Sequence, residues 1–222
     1  MVSDLFGWDI FKDPKWLLDN LLSKYKIINL PTTGWLTNNA GSGAVSQSPS
    51  NFYVRTGTTA NSRGLAYTDA YGLYHRNWVL GIDWGKKLEI ALTIARQNSD
   101  SEAVARFQLK VGSSEGALTS RGLGLEIQDF ALYGESYGSA RGTISLGNLT
   151  DGDSYHVKIV LVPNVRVEFW LNGILVGVLT GDYVPTGTNT ANHYFVASII
   201  NGATGGVDAI MRVGNIRVIQ EW

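Results

Sequence analysis

The sequence predicts an all-β sandwich of two antiparallel sheets, preceded by one short N-terminal helix. Two observations carry the sandwich. Apolar residues recur at every second position through most of the chain after Phe52, and Gly, Asn and Asp punctuate these runs at turn spacing. A length of 222 residues fits one such domain, since sandwiches routinely reach about 200–250 residues. No repeat of solenoid length is present, so the regular strand spacing belongs to one sandwich or jelly roll.

The helix is expected to open at Asp13-Pro14. An Asp N-cap accepts backbone N–H bonds, and a Pro at the first helical position has no N–H to lose. Leu17, Leu18, Leu21, Leu22 and Tyr25 follow at helical spacing, and the helix is expected to end near Tyr25. Residues 1–30 are thus read as an arm with an amphipathic helix, and residues 31–222 as the sandwich. The helix itself suits a lid on its own sandwich. The arm as a whole holds more apolar surface than one lid needs, so Phe6, Trp8, Phe11 and Trp16 are expected to contribute to assembly with other copies.

Residues 31–51 are rich in Gly, Ser, Asn and Thr and read as a long exposed connection. Beyond it, Leu88 to Ile94, Ala105 to Val111 and Leu123 to Ile127 alternate apolar with polar or small residues, as strands covering a core on one side do. Val157 to Val162, Arg166 to Leu171 and Ile174 to Thr180 form three consecutive strands. Asn172-Gly173 joins the last two, because a type I′ turn needs φ > 0 at both central residues. A simple two-residue register then sets Leu171 opposite Ile174, Phe169 opposite Val176 and Val167 opposite Val178 on one core face. Trp170, Glu168, Arg166, Leu175 and Leu179 fall on the other face. Tyr194 to Ile200 and Ile210 to Glu221 close the chain.

Composition excludes several functions. Only 17% of residues are charged, the formal net charge is −1 and no Lys/Arg run occurs, so no nucleic-acid partner is expected. With no cysteine, disulfides, thiolate metal sites and a Cys nucleophile are excluded. His75, His156 and His193 have no metal-ligand spacing, and His156 is expected to start a strand beside the core. No apolar run reaches the ~20 residues of a membrane span. The N-terminus shows neither the basic start nor the apolar core of a secretory signal, so an extracellular or virion-surface location implies either a signal already removed or another route of exit, such as inside a virion.

The order LGLEIQDFALYGE, ISLGNLTDGDSYHVKIVL, VRVEFWLNGILVGVL and MRVGNIRVIQEW, over roughly residues 50–222, resembles the concanavalin A-like lectin/glucanase superfamily, which includes laminin-G-like domains. The matching pieces are the Asp151-Gly152-Asp153 turn, the Tyr155-His156 pair opening a strand, and Asn172-Gly173 where the family often has Asp-Gly. The resemblance implies a concanavalin-like jelly-roll sandwich. Its glucanase branch would require carboxylates at alternate positions of one strand, but no Glu-x-Asp-x-Glu is present. Glu126 and Asp129, three apart, point to opposite faces of a regular strand, so no catalytic residue is assigned. Its lectin branch implies calcium held by loop oxygens, for which Asp151 and Asp153, with Asp182, are the candidates. A plain turn is the first reading of the Asp-Gly-Asp step, and no other cofactor is expected.

Aromatic residues set in polar surroundings are the candidate sugar contacts, because sugar C–H faces stack on rings while neighbouring acids and amides bond hydroxyls. Trp170, Trp84 and Trp35 are the candidates, with Glu168 beside Trp170; Trp78 and Tyr74 raise the same question, and core packing is the competing reading for each Trp. The first functional expectation is a non-enzymatic structural subunit that self-assembles as a virion, coat or filament component. The second is a carbohydrate-binding module or lectin, and the third a glycoside hydrolase. The expected partners are further copies of the chain and a glycan.

Overall fold

The computed structural model describes residues 25–68, 82–98, 101–187 and 193–221. In chain order the strands are β1 (Tyr25–Asn29), β2 (Leu36–Thr37), β3 (Ala44–Gln47), β4 (Asn51–Arg55), β5 (Arg63–Tyr67), β6 (Leu88–Gln97), β7 (Val104–Val111), β8 (Gly122–Gln128), β9 (Ala131–Tyr137), β10 (Arg141–Asn148), β11 (Ser154–Val162), β12 (Arg166–Leu171), β13 (Ile174–Thr180), β14 (His193–Ile200) and β15 (Ile210–Glu221). Two antiparallel sheets face each other. One has the order β13-β12-β11-β6-β15-β4-β3, with β1 paired to the end of β15; the other runs β10-β9-β8-β7-β14-β5-β2. This is the jelly-roll sandwich expected from the alternation.

Inward residues of both sheets meet in one core. Leu88, Ile90, Leu92 and Ile94 of β6 and Val157, Ile159 and Leu161 of β11 pack toward Leu123, Leu125 and Ile127 of β8 and the stacked Phe107–Phe195 pair, 5.6 Å between centroids. Removing such side chains from water supplies the main driving force of the fold.

The described portion of the chain departs from expectation at three places. Residues 25–29, grouped above with the arm, form β1 and hydrogen-bond to β15 from Tyr25↔Glu221 to Asn29↔Arg217. The segment 31–51 is not a continuous connection: it contains β2 and β3, and its Trp35 is only 3% exposed, packed on Phe52 at 4.6 Å. The hairpin register also differs. Asn172 (φ 50°) and Gly173 (φ 83°) form the expected turn, and Leu171 does face Ile174. A bulge then sets Phe169 opposite Gly177 and Val167 opposite Leu179, not opposite Val176 and Val178. The extra residue turns Val176 and Val178 outward and Leu179 inward. Gly177 permits the close approach of the two sheets, since a Cβ there would lie 3.0 Å from Ile144 and Leu146 of β10.

The expected N-terminal helix, with Phe6, Trp8, Phe11 and Trp16, lies outside the described residues, as do Tyr74, His75 and Trp78. No helix among the described residues is long and apolar enough to cross a membrane.

Candidate functional site

Strand register aligns side chains across the outer face of the eight-stranded sheet. One ladder row runs Asn29–Arg217–Ala91–Lys158–Trp170–Leu175 through six strands, each residue directly opposite the next. The adjoining row is Ile27–Ile219–Glu89–Val160–Glu168–Val178. Residues so aligned project to the same side, with Cβ atoms of direct neighbours about 5 Å apart.

Trp170 is half-buried within this face. Lys158 Nζ lies 4.4 Å from its ring centroid, and its Nε1 donates to Glu168 Oε2 at 3.1 Å. Arg166 Nε donates to the other Glu168 oxygen at 2.6 Å. Burial by itself would raise the Glu168 pKa, but the hydrogen bonds from Arg166 and Trp170, with the positive charges of Arg166 and Lys158, hold it below the ordinary carboxylate value. The carboxylate is therefore ionised at neutral pH and fixes the edge of the indole.

A cleft of about 650 Å³ opens beside Trp170. It forms where β15 exchanges partners: residues 210–214 pair with β4, residues 217–221 pair with β1, and a bulge lies between Gly214 and Arg217. Asn215 (φ 50°) occupies the bulge, turning Ile216 into the core and both Asn215 and Arg217 outward. The walls carry Asn29, Ser50, His156, Lys158, Trp170 and Arg217, and Ala91 leaves the floor low. The volume suits a small ligand or a few sugar rings. A second hollow of about 300 Å³, lined by Tyr25, Ile27, Lys87, Glu89 and Ile219, continues along the same face.

The outer face of the seven-stranded sheet carries a closed polar network instead. Glu126 Oε2 accepts from Arg106 at 2.7 Å and Arg141 at 2.9 Å, while its Oε1 accepts from Gln128 at 2.8 Å. Glu135 Oε2 accepts from Arg141 at 2.9 and 3.1 Å, and its Oε1 accepts from Gln108. Lys110 Nζ reaches Gln108 Oε1 at 3.2 Å and Gly116 O at 3.4 Å; burial lowers the Lys110 pKa against the opposing pull of Glu135. Two same-face carboxylates therefore exist, Glu126 and Glu135 on neighbouring strands, which a search along single strands missed. Asp129 is not in the strand at all but in the following turn, at φ 56°. Every oxygen of the pair already accepts a hydrogen bond from a neighbouring side chain.

The expected site residues divide. Trp170 and Glu168 meet on the cleft face. Trp84 is fully buried, its Nε1 donating to His193 Nε2 at 3.2 Å, and the buried Trp35 Nε1 donates to Pro31 O at 2.8 Å; neither ring offers a face to a sugar, because both fill core positions. Asp151 and Asp153 lie in a tight turn around Gly152 (φ 77°), where Asp151 Oδ1 accepts from the Asn98 amide at 3.2 Å. No group of three or more His, Asp or Glu side chains suited to a metal occurs among the described residues. His156 is exposed at the cleft rather than set beside the core. Sequence reasoning missed Arg217, Lys158 and Asn29 as site residues; the one available signal was the polar parity of β11 opposite Trp170.

No protein-family model and no curated protein matches the chain. Solved structures do. The carbohydrate recognition domain of Emp47p aligns with 90% of this chain and 97% of its own length at TM-score 0.58 and 11% identity. A Bacillus licheniformis β-glucanase aligns with 88% of this chain and 97% of its own at TM-score 0.53 and 12% identity. A protein of unknown function from Shewanella oneidensis MR-1 aligns over 89% and 87% at TM-score 0.57 and 14% identity. The fold is the concanavalin A-like sandwich.

Proposed function

We propose that the chain is a non-catalytic carbohydrate-binding module whose ligand lies in the cleft beside Trp170. The observation that carries this reading is the single ladder row that places an indole, a lysine, an arginine and an amide along one open groove. An aromatic edge with several long polar donors is the equipment for holding sugar rings and their hydroxyls. The carbohydrate recognition domain with the same fold supports the reading by analogy of fold alone. Such a module works where glycans are displayed, outside a cell or on a particle surface. The test is a glycan array run with and without calcium, repeated with Trp170→Ala. Binding lost in the variant, with its fold intact, supports the reading; a blank array for the wild type defeats it.

A second reading, a self-assembling structural subunit, is favoured by the edge strand β13. Ile174, Leu175, Val176 and Val178 are all exposed there, an apolar row on a sheet edge that no described strand pairs with. The two readings are compatible, since a coat or fibre subunit can also bind glycans.

A further inference from the structure

We infer that the cleft selects an anionic sugar, one carrying a carboxylate or sulfate, gripped between Arg217 and Lys158 over Ala91. This rests on the carbohydrate reading above and names the ligand class for the same cleft.

Charge and geometry carry the inference. Arg217, Lys158 and the exposed His156 line the cleft, whereas no carboxylate does among its described lining residues. Arg217 and Lys158 stand on β15 and β11, either side of β6, with Ala91 directly between them. Two strand spacings separate their backbones by about 10 Å, and the methyl of Ala91 leaves the space between their long side chains open. An anion held there would meet a guanidinium on one side and an ammonium on the other.

The neighbouring acids engage both cations only in part. Glu89 is 3.8 Å from Arg217 Nη2, a loose contact across the adjoining row, with the Arg217 side chain half exposed. Glu168 hydrogen-bonds Arg166 and the Trp170 N–H, and the Lys158 charge acts on it without a direct contact. Lys158 forms no ion pair among the described residues; the Trp170 ring holds it in place by cation–π attraction. That attraction also changes the role of the indole. Lys158 occupies space over the ring, so Trp170 orients a cation as well as offering apolar surface. An acidic sugar at the Trp170 edge would meet the ammonium that the ring holds in place. The second hollow carries one charge of each sign, Lys87 and Glu89, so the basic lining is confined to the cleft itself.

The test uses the whole chain with two matched probe pairs: hyaluronan octasaccharide against its carboxyl-reduced neutral form, and chondroitin sulfate octasaccharide against its desulfated form. Inorganic sulfate and polyphosphate serve as non-sugar anions. Titration calorimetry should give at least about tenfold tighter binding either for hyaluronan over its carboxyl-reduced form or for chondroitin sulfate over its desulfated form, which keeps its carboxylates, as expected for a charge-assisted contact. Which pair responds tells carboxylate from sulfate. Arg217→Gln and Lys158→Gln should each remove most of that preference and flatten the salt dependence, with unchanged thermal unfolding. Equal affinity within both pairs, or array binding confined to neutral glycans, overturns the anionic inference and leaves the carbohydrate reading standing. Polyphosphate binding as tight as the acidic sugars also overturns it, because the face would then read charge without sugar. A wholly blank array defeats the carbohydrate reading first.

Discussion

Lys158 Nζ lies 4.4 Å from the centroid of the Trp170 ring, and the two residues are direct cross-strand partners on β11 and β12. The pairing answers why an indole stands on the outer face of a sheet. Its edge is tied to Glu168, its face attracts an ammonium, and its remaining surface borders the cleft. A large aromatic is thereby fixed in orientation without being buried, a useful property for a contact that must not rearrange on binding.

Glu168 gives this cluster a pH signature. Its folded pKa lies below the ordinary value of 4.5, so its contribution to stability is present above that value. The contribution is lost as pH falls through the lowered folded pKa, where the native state also takes up the proton. Glu168→Gln should therefore destabilise the protein by roughly 1 kcal/mol at neutral pH, the order of one charge-assisted hydrogen bond. The difference should shrink toward zero as the medium is acidified below pH 4.5. Urea unfolding of both proteins along a pH series checks this; a constant difference across the series would show that the ionised carboxylate is not the cause.

Arg141 is the shared cation of Glu126 and the fully buried Glu135. Arg141→Met should cost about 3–5 kcal/mol, because it strands the fully buried Glu135 carboxylate, while Glu126 keeps Arg106. Arg141→Met combined with Glu135→Gln should recover much of that loss, since the uncompensated charge is then gone and the Arg106–Glu126 pair is kept. Denaturant melts of the single and double variants decide the matter. A further variant tests the non-catalytic reading: if β-glucan hydrolysis is measurable in the wild type and disappears in a Glu126→Gln protein whose unfolding transition is kept, the network is catalytic and the reading fails.

The β13 edge predicts association. Val176→Lys with Val178→Lys places charge on an exposed apolar edge, the device by which natural sheets block edge pairing. Light scattering across a wide concentration range should show species larger than the monomer for the wild type and a monomer for the double variant. A wild type that stays monomeric at the highest concentration removes the assembly reading for this edge.

The sequence made the strands legible because their apolar residues alternate, and the turn legible because Asn172-Gly173 has few other uses. Other features depended on partners distant in the chain. Trp35 sits in a polar tract, yet Phe52 from another strand buries it. Trp84, flanked by Asp83 and Gly85, is covered against His193. Glu126 and Glu135 share a face only after β8 and β9 pair. The cleft required the bulge at Asn215, which brings Arg217 outward. Nothing local to Arg217 marks it, because its partners Asn29 and Ala91 arrive from β1 and β6.

The phase of β13 was the least legible feature, and it yields the sharpest test. Ile174 to Leu179 reads ILVGVL, with no polar residue to mark the outer face, so alternation alone permits either phase. The simple hairpin register would bury Val178 and expose Leu179. The bulged register does the reverse, leaving Val178 37% exposed and Leu179 7% exposed opposite the buried Val167. Leu179→Ala should therefore cost about 2–4 kcal/mol through lost burial and the cavity left behind. Val178→Ala should change stability by less than about 0.5 kcal/mol, as expected at a surface position. Urea denaturation of the two variants checks the order. If Val178→Ala is the costlier change, the bulge is absent and Val178 faces the core. The outer-face placement of Trp170 and Lys158 would survive that result, because both lie on strands whose mutual register is set before the bulge is reached.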